Sequence, residues 1–283
     1  MNIVMDSYND RLKEKTVIIT GAARGFGAGI AGELFGQGAN IIITDIKEDE
    51  GLKLSSILNE RKSDNRAKFL ACDVADFDSV SAMMAASVKE FGSIDVLISN
   101  AGILHAGSLD EMDAETFERV TKVNYIGYFN CVKAVSPYMK AQHKADPGRF
   151  MDIIQVNSKS GLQGSLKNFA YAGSKFGGIG LTQSFALELI PYNIKVNSIC
   201  PGNYFEGPLW SDPETGLFRQ YLDAGKVPDA KTINDVRTHY EKQVPMGRGC
   251  QVSDVVKAIN YVIDQEYETG QAIAVTGGQV MLK

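Results

Sequence analysis

Apolar runs four to seven residues long alternate along the chain with longer stretches in which apolar residues recur every three or four positions. The short runs are Thr16 to Thr20, Asn40 to Asp45, Ala67 to Cys72, Val96 to Ser99, Met151 to Asn157, Lys195 to Ile199 and Ala272 to Val275. They are continuous rather than alternating in polarity, as in Ile41-Ile42-Ile43, which suits strands covered on both faces; the helical stretches between them supply the covers. The pattern predicts an α/β fold: a doubly wound, parallel, seven-stranded sheet with helices on both faces. No linker, low-complexity tract or repeat interrupts it before Asn203, so residues 1–283 read as a single domain. The exception is Asn203 to Tyr240, which is richer in Pro, Gly and charge than its flanks. It breaks the alternation between Ile199 and the helix-like run from Ser253 to Ile263. An insertion of this length beside a strand's carboxyl end predicts a lid over a binding site, spanning 203–240.

The first strand runs directly into Thr20-Gly21-Ala22-Ala23-Arg24-Gly25-Phe26-Gly27, and a helix-compatible stretch follows. Glycines here let the backbone turn tightly and approach a pyrophosphate, while the next helix offers free amides to the anion. A glycine cluster alone is a weak signal, but its place between strand and helix makes this a dinucleotide (Rossmann) loop. Asp45 closes the second strand, where its carboxylate can accept from adenosine ribose hydroxyls and would repel a 2′-phosphate. Arg24 pulls the other way, because a cation in this loop could neutralise that phosphate. The carboxylate's effect is the more direct, so NAD is the expected cofactor.

A formal net charge of -5 offers no general attraction to nucleic acid or to an anionic membrane. The charged stretch from Met1 to Lys15 lacks the apolar core of a secretory signal, and no run approaches the roughly 18 apolar residues of a span. The expected location is cytoplasmic. Cys72, Cys131, Cys200 and Cys250 are widely spaced, as are His105, His143 and His239, so neither a metal site nor a disulfide framework is signalled.

Four motifs in order give the chain a resemblance to the short-chain dehydrogenase/reductase family over almost its whole length. They are the glycine pattern from Thr20 to Gly27, Asn100-Ala101-Gly102, Tyr171-Ala172-Gly173-Ser174-Lys175 with Ser158 thirteen residues before the tyrosine, and Pro201-Gly202. The resemblance implies a nicotinamide-dependent oxidoreductase acting on a secondary alcohol or ketone, commonly a homotetramer. It implies that Gly21, Arg24, Gly25, Phe26, Gly27, Asp45, Asp73, Val74, Asn100, Ala101, Gly102, Tyr171, Lys175, Pro201 and Gly202 hold the cofactor. Ser158, Tyr171, Lys175 and Asn124 form the catalytic set it implies, with Asn124 anchoring a water on a proton path. Asn157 to Gly161, Lys175 to Gly178, Arg248 to Cys250 and Val275 to Met281 further resemble family members that oxidise hexitol phosphates.

The chemistry is consistent with those residue types. A base must take the hydroxyl proton while hydride leaves carbon, and a phenol with a pKa of about 10 is a poor base at neutral pH. Tyr171 and Lys175 lie four apart, so on one helix they share a face, and the ammonium is expected to lower the phenol's pKa. A Tyr and a Lys at that spacing are ordinarily a surface pair; the other three motifs change the reading. Lys159, Lys167 and Arg248 are candidate partners for a sugar phosphate, and His105 for substrate hydroxyls. Against a phosphate, the insertion carries Glu206 and Asp212, which leaves an unphosphorylated polyol, a sugar acid or another secondary alcohol open. Tyr125, Tyr128, Phe129 and Tyr138 recur at helical spacing and are expected to pack in the core or between subunits.

Overall fold

The structure, a computed structural model, describes residues 11–61 and 63–281. Seven strands form one parallel sheet: β1 (Thr16–Thr20), β2 (Asn40–Asp45), β3 (Ala67–Ala71), β4 (Val96–Ser99), β5 (Met151–Val156), β6 (Ile194–Pro201) and β7 (Ala272–Val275), in the order β3-β2-β1-β4-β5-β6-β7. The helices α1 (Gly25–Phe35), α2 (Glu48–Asn59), α3 (Phe77–Phe91), α4 (Ala114–Thr121), α5 (Gly127–Ala145) and α6 (Phe169–Leu189) return the chain between successive strands. After β6 come α7 (Pro208–Ser211), α8 (Leu217–Asp223), α9 (Ile233–Lys242) and α10 (Val252–Asp264), before β7 closes the edge. The expected strands are all present. β6 runs two residues beyond Ile199 because Cys200 and Pro201 pair with Ala274 and Val275 of β7.

Neighbouring residues of each central strand point to opposite faces, and each face has its own core. Val17 and Ile19 join Ile30, Leu34 and Phe35 of α1 and Val255, Ile259 and Val262 of α10. Ile18 and Leu97 join Met83 and Met84 of α3, Val135 and Met139 of α5 and Leu189 of α6. Tyr128 is buried here with its hydroxyl 3.1 Å from Thr182 Oγ1, whereas Phe129 on the same helix is 39% exposed. One Lys–Asp pair is buried in the sheet itself. The β5–β6 register sets Lys195 opposite Asp152, and Lys195 Nζ also donates to the carbonyls of Ile263 and Gln265 at the end of α10 (3.3 and 2.9 Å). Nζ lies 3.0 Å from Asp152 Oδ1, within ion-pair distance. Burial pushes Asp152 up to about 7 against the pull of Lys195.

The segment after β6 builds a third apolar cluster that is separate from the sheet. Phe205, Trp210, Leu217, Phe218, Tyr221, Val227, Val236 and Val244 enclose it, with Trp210 in ring contact with Phe205, Phe218, Tyr221 and Tyr240. A capping box of Thr232 and Asp235 starts α9. The expected insertion is therefore helical and has a core of its own. Because strand order reverses between β1 and β4, a crevice opens above their carboxyl ends, and this is where open α/β sheets bind ligands.

Candidate active site

One cavity of about 530 Å³ runs along the carboxyl edge of the sheet and under the helical insertion. Its cofactor half is built by the loop after β1. Gly21 turns at a φ of +63°, and a Cβ there would sit 2.7 Å from the Ala101 Cα; one on Gly27 would sit 2.3 Å from the Gly21 carbonyl oxygen. Only glycine permits this close approach. Asn100 locks the neighbouring loop, its Nδ2 donating to the carbonyls of Thr20 and Gly21 (2.9 Å each), while Thr20 Oγ1 accepts from the amides of Asn100 and Ala101. The first-turn amides of α1 have no intrahelical acceptor, and neither a side-chain cap nor an acidic residue stands at that end. Such a cradle fits a pyrophosphate.

Asp45 lies at the end of β2, with Oδ2 accepting from the Ala23 amide (3.0 Å) and Oδ1 from the Lys47 amide (3.1 Å). It thus also ties the glycine loop to β2. Gly21, Arg24, Gly25, Phe26, Asp45, Asp73, Val74, Asn100, Ala101, Gly102, Pro201 and Gly202 all line the cavity, and Gly27 sits behind them as the close-contact glycine. Asn130 Nδ2 donates to the Val74 carbonyl and fixes that residue at the wall. Arg24 is exposed and makes no ion pair among the described residues.

α6 brings Tyr171 and Lys175 to the cavity, and β5 delivers Ser158. Lys175 is buried, and its Nζ donates to the Val156 carbonyl (3.0 Å) and lies 5.6 Å from the centre of the Tyr171 ring. Burial lowers this ammonium to about 8. Tyr171 departs from expectation: burial pushes its phenol up to about 12, opposed by the Ser158 hydroxyl, and Lys175 is not among the groups that shift it. Lys175 is buried and Tyr171 half-buried, and desolvation of the phenolate outweighs an ammonium that faces a carbonyl instead. Asn157 holds the set together, with its Nδ2 donating to the Lys175 carbonyl (2.9 Å) and to Gln155 Oε1 (2.7 Å) and its Oδ1 accepting from the Ser158 amide (2.8 Å). Asn124 sits in a π-helical turn, Lys122–Ile126, between α4 and α5. Its Oδ1 accepts from the Ile103 amide and its Nδ2 donates to the Ile103 carbonyl and to Ser174 Oγ. A water on its side chain would use the second lone pair of Oδ1.

The insertion side of the cavity revises the substrate candidates. Lys159 lines the wall, half-buried, and burial lowers its pKa. Arg248 lies outside, because Asp254 in the first turn of α10 claims both its terminal nitrogens (2.6 and 2.9 Å). His105 is exposed and outside the lining, and Lys167 Nζ reaches the Ala224 carbonyl (3.4 Å) rather than the cavity. Glu206 and Asp212 also lie outside the lining: Glu206 pairs with Arg237 (2.8 Å), and Asp212 Oδ1 accepts from the amides of Glu214 and Thr215. Sequence reasoning missed Asn168, Asn203, Tyr221 and Lys226, which line the same chamber. Asn168 Oδ1 and Asn203 Nδ2 are buried without a hydrogen-bond partner among the described residues.

The family model for short chain dehydrogenases matches residues 15–209. The chain belongs to that family. Trans-4-hydroxycyclohexanecarboxylate dehydrogenase of Sinomonas cyclohexanicum is 34% identical over 97% of this chain and 96% of its own. Among solved short-chain dehydrogenase structures, sorbitol-6-phosphate 2-dehydrogenase SrlD from Erwinia amylovora superposes with a TM-score of 0.85 at 35% identity, covering 94% of this chain and 100% of that one. A point variant of actinorhodin polyketide ketoreductase with NADPH superposes with a TM-score of 0.84 at 29% identity, covering 95% and 98%. The chain is thus a family oxidoreductase that acts on CH–OH groups with a nicotinamide cofactor. No described helix is long and apolar enough to cross a membrane.

Proposed function

We propose that the protein is an NAD(H)-dependent dehydrogenase interconverting sorbitol 6-phosphate and fructose 6-phosphate. The observation that carries the substrate class is the polar lining of the chamber beside Tyr171, to which Ser158, Lys159, Ser165, Lys226 and Gln243 belong. A chain of hydroxyls supplies both donors and acceptors to such groups, and the two ammonium groups suit a phosphate. The two acids that spoke against a phosphate are engaged elsewhere, Glu206 with Arg237 and Asp212 with its own turn. Similarity to SrlD adds support.

The nicotinamide, when bound, supplies the hydride acceptor. Ser158 donates to the substrate oxygen and orients it. Tyr171 takes the hydroxyl proton as hydride leaves the same carbon, so that the alcohol becomes a ketone and one proton is released through the phenol. Lys175 keeps its ammonium 5.6 Å from the centre of the Tyr171 ring, where its charge favours the phenolate from which oxidation starts, and Asn157 fixes Ser158 relative to Lys175. Asp45 favours the ribose hydroxyls of NAD over a 2′-phosphate. In our reading the enzyme works in the cytoplasm as a homotetramer, with the exposed Phe117, Ile126, Phe129 and Phe176 of α4 to α6 offering apolar contact area. A second reading, a secondary alcohol bearing a carboxylate, draws on the Sinomonas relative and on the apolar wall of Leu104, Leu166 and Leu217. The deciding experiment follows NADH formation with sorbitol 6-phosphate, sorbitol and trans-4-hydroxycyclohexanecarboxylate. The proposal expects sorbitol 6-phosphate to lead by kcat/KM; comparable values for sorbitol and its phosphate refute it.

A further inference from the structure

Helix α8 ends in a closure that places one side chain with unusual care. Gly225, at a φ of +56°, donates its amide to the Leu222 carbonyl (3.1 Å), and the Lys226 amide donates to the Tyr221 carbonyl (2.9 Å). This Schellman arrangement folds the chain back over the last turn. Lys226 Nζ then stands 3.8 Å from the centre of the Tyr221 ring, on the wall of the cavity, and Lys159 lines that cavity from the loop that carries Ser158. Among the described residues neither ammonium has a carboxylate partner or a hydrogen-bond acceptor. No acid of the insertion lines the cavity: Glu206 pairs with Arg237, Asp223 with Arg219, and Asp212 accepts within its own turn.

Lys159 also acts on Lys226. Burial lowers Lys226 to about 8, with further depression from Lys159 and then Lys167. Cations gathered in a partly dehydrated wall without counter-charge disfavour their own charged forms, and a bound anion removes that penalty.

We propose that Lys159 and Lys226 form an anion subsite for the phosphate or carboxylate of the substrate, with Lys226 as the specificity-determining residue contributed by the helical insertion. This rests on reading the cavity as a dehydrogenase site. Phosphate and carboxylate share the chemistry of an oxyanion accepting from ammonium donors. Lys167, held at the Ala224 carbonyl one residue before Gly225, braces the turn from outside.

The test uses Lys226→Gln, Lys226→Arg and the double variant Lys159→Gln/Lys226→Gln. Turnover is measured on two pairs, sorbitol 6-phosphate against sorbitol and 4-hydroxycyclohexanecarboxylate against cyclohexanol. A charge-assisted hydrogen bond corresponds to about ten- to a hundredfold. In Lys226→Gln the ratio of anionic to neutral kcat/KM falls at least tenfold for whichever pair contains the substrate, and Lys226→Arg restores most of it. An equal loss on both members of the pair, or an unchanged ratio, overturns the proposal. Calorimetric titration of inorganic phosphate into the protein saturated with NADH, which fills the glycine loop, reads the subsite without turnover. Binding that weakens at least tenfold in the double variant supports it; equal binding, or none in either protein, overturns it. If neither anionic alcohol is oxidised while phosphate binding depends on the two lysines, the substrate reading fails and the subsite stands.

Discussion

Replacing Asp45 tests cofactor choice and loop architecture together, because one carboxylate serves both. A hydrogen bond from a ribose hydroxyl to a carboxylate contributes about 1.5–3 kcal/mol, or about ten- to a hundredfold in kcat/KM for NAD. Repulsion between the carboxylate and a 2′-phosphate charge at about 4 Å is on the order of 4 kcal/mol for a site near the surface, less whatever Arg24 neutralises. The unmodified protein therefore prefers NAD over NADP by about a hundredfold or more, and Asp45→Ala closes most of that gap. The same carboxylate accepts from the amides of Ala23 and Lys47, so Asp45→Ala also loosens the loop and weakens both cofactors. Asp45→Asn separates the effects, since its remaining oxygen keeps one of those amides while the charge is gone. The assay is kcat/KM for NAD and NADP in the three proteins, at one ionic strength because Arg24 is exposed. Equal efficiency with both cofactors in the unmodified protein, or a ratio that Asp45→Ala leaves unmoved, refutes the reasoning.

Tyr171→Phe lowers turnover by about 10²–10⁴ while NADH binding, read by fluorescence titration, stays near normal; retention of a tenth of the activity would remove Tyr171 from its role. Because oxidation needs the phenolate and the phenol stands raised at about 12, oxidation accelerates as pH rises toward the phenol's pKa in the complex, whereas reduction, which needs the neutral phenol, does not. Lys195→Met leaves Asp152 and the carbonyls at the end of α10 buried without their cation and costs about 3–5 kcal/mol, a fall in Tm of about 6–20 °C by calorimetry; a fall under about 2 °C would show that the buried ion is dispensable.

The sheet was legible because β1, β2 and β4 are short, nearly continuous apolar runs, as doubly covered parallel strands are, and each is followed by a longer stretch of helical periodicity. The place of the glycine loop and of Asp45 was legible for a related reason: it is set by backbone turns and by position at a strand's end, both of which follow from local sequence. Arg248 misled because Asp254, six residues on, captures it only once α10 has turned back on itself. Lys226 was invisible as one Lys among many, since its place depends on the left-handed Gly225 and on a ring one turn upstream. Asp152 and Lys195 are forty-three residues apart and meet only through the β5–β6 register. The elevated phenol of Tyr171 escaped for another reason: helical spacing places Lys175 on the same face but does not say that its Nζ turns to the Val156 carbonyl.

The aromatic cluster under α7 to α9 has a consequence for how this enzyme breathes and how it changes over generations. A unit that buries Trp210, Phe218 and Tyr221 among its own residues can come apart cooperatively while the sheet stays folded. Its amides should exchange with solvent through an opening that leaves those of β1, β4 and β5 protected, and the same opening would uncover the chamber beneath it. The same separateness lets mutation rewrite the alcohol an ancestor oxidised, one aromatic or lysine at a time, while the nucleotide cradle is inherited untouched.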